Sequence, residues 1–214
     1  MNPLDQLVKT LSKLPGIGSK SARRVAHHLL KADGYWVADL AAQIAKLQES
    51  VKNCEICGNY TEESPCPICV DQTRESGLIC VVEQPEDIGT IELTGDFNGL
   101  YHVLGGVISP IDGMGPEELS IGRLLHRLKS GKVHELIIAT NPTVEGETTA
   151  LYILNLLKDS GIKISQLASG LPAGGDLEYA DRLTISRSLK GRRTLLKGRD
   201  GLKHIGNPED KPLF

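Results

Sequence analysis

IIATNPTVEGE, residues 137–147, is an apolar run that breaks off into Thr140-Asn141-Pro142-Thr143 and is followed by two acids, Glu145 and Glu147. The run belongs to a longer strand-like segment, HELIIAT (134–140), flanked by helical periodicity in IGRLLHRL (121–128) and in about 145–159. Working outward, LICVVE (78–83), YHVLGGVI (101–108) and KISQLA (163–168) also read as strands. Continuous apolar strands separated by helices predict a parallel sheet covered on both faces. Residues 77–172 are therefore expected to form a compact α/β domain. Ligands of such sheets bind at the carboxyl edge. Glu83, closing LICVVE, and the 141–147 loop are expected to share that edge.

The segment before this domain has a different character. Cys54-x2-Cys57-x8-Cys66-x2-Cys69 gives two C-x-x-C knuckles in a stretch too short and polar to bury a core. Two knuckles can complete a tetrahedral Zn²⁺ site, and four sulfurs leave no position for water, so the ion would be structural. A dithiol redox pair and adventitious cysteines are the alternatives, and the doubling of the motif disfavours both. Residues 54–69 are thus expected to be a small zinc module holding one Zn²⁺. Cys80 lies inside an apolar strand and reads as a small buried residue.

Residues 1–53 read as all helical. Leu4, Leu7, Val8, Leu11 and Leu14 make one helical stripe, and Ala22, Val25, Ala26, Leu29 and Leu30 make a second. A third helix is expected over about 36–49. Pro15-Gly16-Ile17-Gly18 turns the chain between the first two, with Ser19 positioned to cap the second. Glycines let backbone approach a ligand closely, and a helix N-terminus attracts phosphate. Gly16, Gly18, Lys20, Arg23 and Arg24 are therefore candidate DNA-backbone contacts. A plain packing turn is the alternative. His27, His28 and the lone His102 read as surface or core imidazoles without a chemical role.

The chain has 214 residues, 40% hydrophobic and 24% charged, with a net charge of -3. That charge is uneven: residues 1–31 carry +5, 32–181 carry -14, 182–203 carry +7 and the last eleven -1. Basic ends suggest a polyanion, and the acidic body suits a basic partner. No apolar run approaches the ~20 residues of a membrane span. The N-terminus does not read as a signal peptide, so a cytoplasmic protein is expected. EYADRLTISRSLKGRR (178–193) reads as a last helix entering a Gly-rich basic tail expected to be partly disordered, so that 173–214 make a C-terminal helix-and-tail unit.

The pair of helices around PGIG resembles the helix-hairpin-helix element of DNA repair proteins. VVE followed by ATNPTVEGE resembles the Toprim domain, whose catalytic members carry two aspartates spaced by one residue in the second loop to bind Mg²⁺. Asn141 and Thr143 stand in their place here. The ordered set LPGIGSKSARRVAHHLL, the cysteine spacing, CVVEQPEDI, GLYHVLGGVISPIDGMGPEEL, TVEGETTALY and GLPAGGDLEYADRLT closely resembles the bacterial RecR family of recombination mediators. That resemblance implies a non-catalytic DNA-repair protein that forms homodimers and ring-shaped homotetramers through its N- and C-terminal regions. It also implies action at the nucleoid with RecO and RecF to help load RecA on single-stranded DNA at gaps. Glu83, Glu145 and Glu147 are expected to contact a basic partner such as RecO. A Mg²⁺-dependent Toprim nuclease or primase-like enzyme is the rival reading, and an RNA-binding zinc protein a third.

Overall fold

The computed structural model describes residues 2–192; the basic tail beyond lies outside the described residues. Three helices come first: α1 (Pro3–Leu11), α2 (Ser19–Lys31) and α3 (Gly34–Ser50). Asn2 caps α1 through the Asp5 amide, and Asp33 caps α3 through the Tyr35 and Trp36 amides. Val8, Ala22 and Ala26 form the small core between α1 and α2, with Leu4, Leu11 and Ile17 packed against it. α3 buries no residue. The first helix stops at Leu11, short of the apolar stripe that runs to Leu14, because the chain turns through the amides of Lys13 and Leu14.

A short antiparallel pair, β1 (Lys52–Asn53) and β2 (Tyr60–Thr61), and the one-turn helix α4 (Pro67–Val70) carry the cysteines. The α/β domain follows as β3 (Glu75–Val82), α5 (Pro85–Glu92), β4 (Gly99–Val103), α6 (Ile121–Leu128), β5 (Glu135–Ala139), α7 (Val144–Leu157) and β6 (Lys163–Gln166). Its strands lie in the order β4-β3-β5-β6, all parallel. α8 (Arg182–Lys190) closes the described chain.

Alternation along the strands assigns each face its core. Ile79 and Val81 of β3, with Leu136 and Ile138 of β5, meet Ile121, Leu124 and Leu128 of α6 and Ile153 and Leu157 of α7. Cys80 and Val82 turn the other way, to Ile88 of α5 and to Tyr101 and Val103 of β4. Both faces of β3 are thus covered, which is why LICVV reads as a continuous apolar run. Val82 lies in register with Val103 and with Ala139. Glu83, Leu104 and Thr140 therefore emerge together at the carboxyl edge.

Two expectations are corrected, and one helix is added. The strand over 101–108 ends at Val103, because Gly105 and Gly106 take φ of 86° and 155° and swing the chain toward α7, where the Thr149 hydroxyl accepts from the Ile108 amide. The helix over 178–193 is broken: Leu177–Tyr179 is a single 3-10 turn, and Asp181 starts α8 by accepting from the Leu183 and Thr184 amides. α5 escaped the sequence reading because it is only eight residues long, yet its signals are present. Pro85 stands in the first turn, and Gln84 and Asp87 form a reciprocal capping box. Among the described residues no helix is long and apolar enough to cross a membrane.

Candidate functional site

The cysteine module converges on a single point. Cys54 Sγ lies 3.9 Å from Cys69 Sγ and Cys57 Sγ lies 3.6 Å from Cys66 Sγ, and all four sulfurs fall within 4.8 Å of one another. A Zn–S bond of about 2.3 Å in a tetrahedron requires sulfurs about 3.8 Å apart, so the donor set fits Zn²⁺. Backbone amides support the sulfurs: Asn59 donates to Cys57 Sγ at 3.5 Å, and Cys66 to Cys54 Sγ at 3.3 Å. Gly58 makes the tight turn with φ of 82°, and a Cβ there would sit 3.1 Å from that of Val103. The Val103 amide donates to the Cys57 carbonyl at 2.7 Å, which joins the module to the edge strand of the sheet.

The thiol chemistry agrees with a cation in this place. Hydrogen bonding from Cys69 first, and from its other neighbours, pulls Cys57 down to about 5, while burial pushes Cys66 up to about 11. Cys69 is also driven up, first by its hydrogen bond to Cys57. On their own the four sulfurs favour one thiolate and resist the next. Bound Zn²⁺ supplies the positive charge that four thiolates need and couples that binding to folding. Cys80 stands apart, buried in the sheet and pushed up to about 12 by that burial.

At the N-terminus, α2 begins without a side-chain cap. The capping position is Gly18, with extended backbone, and Ser19 is already helical, so Ser19 is not the cap its sequence position suggested. Of the two turn glycines, only Gly16 has a positive φ, 76°. Lys20, Arg23 and Arg24 are all exposed and line one shallow concavity of about 440 Å³ with His27, His28 and Lys31. Arg23 approaches Asp5 at 4.0 Å, too far and too wet to neutralise it. His28 also rests edge-on against Trp36 of α3.

The carboxyl edge of the sheet uses the three sequence-selected acids differently. Glu83 is buried, accepting from the Asn141 amide at 2.6 Å with one oxygen and from Asn141 Nδ2 at 2.8 Å with the other. Thr143 caps α7 by accepting from the Gly146 amide at 3.0 Å, and the Thr140 hydroxyl donates to the Gly146 carbonyl at 3.0 Å. Gly146 must be glycine: an added Cβ would lie 2.1 Å from the Asn141 carbonyl and 2.9 Å from Glu83 Oε1. Glu147 pairs with Arg187 of α8 at 2.5 Å, and Glu145 is exposed. Arg187 was not anticipated from the sequence. Its own basic segment was visible, but a partner forty positions upstream leaves no local signal.

His102 is buried in β4, its Nε2 3.0 Å from the Ser120 carbonyl and its Nδ1 without a partner among the described residues. Burial, reinforced by Arg127 and Arg123 nearby, pushes this imidazole down to about 4. It is a neutral core group, with one nitrogen left unsatisfied where a satisfied core or edge imidazole was expected.

A four-sulfur metal centre, a parallel sheet with an acidic carboxyl edge and a helical pair with a bare, basic N-terminus define a zinc-finger Toprim protein with a helix-hairpin-helix element. Matches to known families follow the same order along the chain: a RecR helix-hairpin-helix over 4–47, a RecR four-cysteine zinc finger domain over 51–71, a Toprim domain over 77–168 and a RecR C-terminal segment over 170–193. Proteins named Recombination protein RecR from Treponema denticola and Acidothermus cellulolyticus are 52% and 53% identical over 90% of this chain, covering 98% and 96% of those proteins. That of Moorella thermoacetica is 52% identical, covering 90% of this chain and 97% of its own. The chain belongs to the RecR family.

Proposed function

We propose that the protein is a recombination mediator of DNA repair, a DNA-binding clamp acting in the cytoplasm with RecO and RecF to help load RecA on single-stranded DNA at gaps. The observation that carries this is the uncapped start of α2 with Lys20, Arg23 and Arg24 exposed beside it, in a chain whose relatives are named recombination proteins. Phosphate would sit on the free amides of the turn containing Gly16 and Gly18, with the three cations around it. Lys20→Ala is expected to weaken binding to gapped DNA across sequences and to lower the salt slope by about one. Unaltered binding and slope would remove DNA contact from this helix. Equal affinity for RNA of the same shape would favour an RNA-binding protein.

Ring assembly is supported by apolar surface exposed at both ends of the described residues. α1, α2 and α3 enclose an open groove of about 840 Å³ lined by Leu7, Val25, Leu30, Trp36 and Ile44, and a second copy of the chain would cover it. Near the C-terminus, Leu177, Tyr179, Leu183 and Leu189 are likewise exposed. The mass in solution with and without gapped DNA tests the ring; a strict monomer that still bound tightly would exclude it.

The absence of chemistry is supported by Asn141, which occupies both oxygens of Glu83 where a metal or substrate would need them. The retained acids nevertheless favour one rival, a Mg²⁺-dependent nuclease or primase-like enzyme. Mg²⁺-dependent nicking or primer synthesis lost on Glu83→Gln would establish that rival. Of the three acids offered to a basic partner, Glu145 is the exposed one, Glu147 shares Arg187, and Glu83 supports the loop from inside. Glu145→Lys is expected to weaken RecO binding; unchanged affinity would sink this contact.

A further inference from the structure

The cysteine module lies against β4. Ile68, in the second knuckle, packs both on Cys54, Cys57 and Cys66 and on the cluster around Tyr101 and Val103. From α6, Arg123 and Arg127 stand one helical turn apart on the same side of the helix. Arg127 is half-buried and donates to the Tyr101 carbonyl at 2.5 Å, two residues before the Val103 amide that holds the Cys57 carbonyl. Arg123 Nη2 lies 3.8 Å from the point that a Cβ on Gly58 would take, beside the turn of the first knuckle.

Neither arginine pairs with a carboxylate among the described residues. Arg74 makes the contrast: it also donates to a carbonyl of β4, that of Gly99 at 3.0 Å, but Glu92 and Asp71 balance its charge. Taking a guanidinium out of water without an opposite charge is costly. Burial pulls Arg127 below the ordinary arginine value, and the sulfurs oppose that pull, Cys69 most, then Cys57, Cys54 and Cys66. His102 does not share the positive charge, because burial first, and then Arg127 and Arg123, keep it neutral. The surrounding stretch, 32–181, carries -14 before any thiolate is counted.

We propose that Arg127, with Arg123 beside it, is the counter-charge of the metal centre: the two arginines balance the negative charge that the four thiolates keep after binding Zn²⁺. The ion neutralises half of the thiolate charge, so the closed centre is a dianion. Two guanidiniums match that remainder. They cannot replace the ion, because four bare thiolates outweigh them. Arg127 is no ligand: it makes no hydrogen bond to a sulfur among the described residues, and it acts by favouring the thiolate form and by holding β4 beneath the first knuckle. This role needs only the four-sulfur centre, whatever the chain binds elsewhere.

The test loads full-length protein with Co²⁺, read by its absorption, and with Zn²⁺ in competition with a chelator. It compares wild type with Arg127→Met, Arg127→Lys, Arg123→Met and Arg74→Met. Arg127→Met is expected to bind Zn²⁺ about tenfold more weakly. Its sulfur-to-cobalt charge-transfer band should move to longer wavelength, because a thiolate gives up electron density more easily once a nearby cation is gone. Arg127→Lys keeps the charge and should keep most of the affinity and the band position. Arg74→Met removes a cation that carboxylates already balance, so it should lower Tm and leave the band where it is. An unmoved band in Arg127→Met, with an affinity loss no larger than that of Arg74→Met, overturns the counter-charge. Arg127→Lys failing as fully as Arg127→Met also overturns it, leaving the Tyr101 hydrogen bond as the whole role. If Arg127→Met does not fold, Arg123→Met carries the same readouts, since Arg123 makes no hydrogen bond among the described residues. A smaller shift in the same direction supports the proposal, and no shift overturns it.

Discussion

The zinc module and the carboxyl edge of the sheet both raise the question of a bound cation, and the geometry answers it differently in each. At the module, four sulfurs crowd within 4.8 Å and find only weak amide and thiol partners. At the edge, Asn141 gives Glu83 two donors and Arg187 meets Glu147. Acid residues in a loop do not make a metal site when protein donors already satisfy them. Concentrated donors whose charge is uncompensated do.

The sharpest way to break this contrast is Cys57→Ser. Three sulfurs cannot close the tetrahedron, and the loss should be on the order of 4–5 kcal/mol, lowering Tm by about 10 °C or more. Thermal melting with metal analysis reads it. Freshly purified wild-type protein without zinc would contradict the premise, as would a chelator with no effect on Tm.

On the edge, Gly146→Ala should cost roughly 3 kcal/mol by urea denaturation, because its Cβ would overlap the Asn141 carbonyl and force the loop from Glu83. A cost near zero would show the loop to be loose, and the inward satisfaction of Glu83 would lose its meaning.

His102 lies on β4, the strand that joins the two regions, and gives the comparison a pH dependence. Its folded value is depressed to about 4 from an ordinary 6.5. The folded state therefore binds fewer protons, and stability rises with pH. The contribution is fully present above 6.5 and is lost as pH falls through 4, at most about 3 kcal/mol. Unfolding of wild type and His102→Gln between pH 7 and 4 should show the shallower slope in the variant; parallel slopes would exclude this origin.

The smallest effect sharpens the contrast best. Asn141→Asp replaces a donor 2.8 Å from Glu83 with a second carboxylate. About 1–3 kcal/mol should be lost, with partial recovery in Mg²⁺. Adding Thr143→Asp should strengthen that recovery. Calorimetric titration with Mg²⁺ measures it, and no heat in either variant would show that more than carboxylates separates this edge from a metal site.

Much of the candidate site was legible in advance for local reasons. The zinc ligands sit in two C-x-x-C pairs, so spacing alone carried the chemistry, and β3 declared its two-sided burial in LICVV. The missing aspartates were equally plain at Asn141 and Thr143. Other features were hidden because opposing signals competed. YHVLGGVI has strand composition, but its glycines end the strand at Val103. α5 is too short for its period to stand out.

By itself, the sequence determined the order of modules, the parallel sheet, the four sulfur ligands and the basic start of α2, because each depends on residues near one another along the chain. Only tertiary structure decided that Glu83 turns inward to Asn141 and that Arg187 closes on Glu147. Those pairings join positions 58 and 40 residues apart. No local propensity encodes them; strand register and helix docking bring the groups within hydrogen-bond reach, and their roles follow from that proximity.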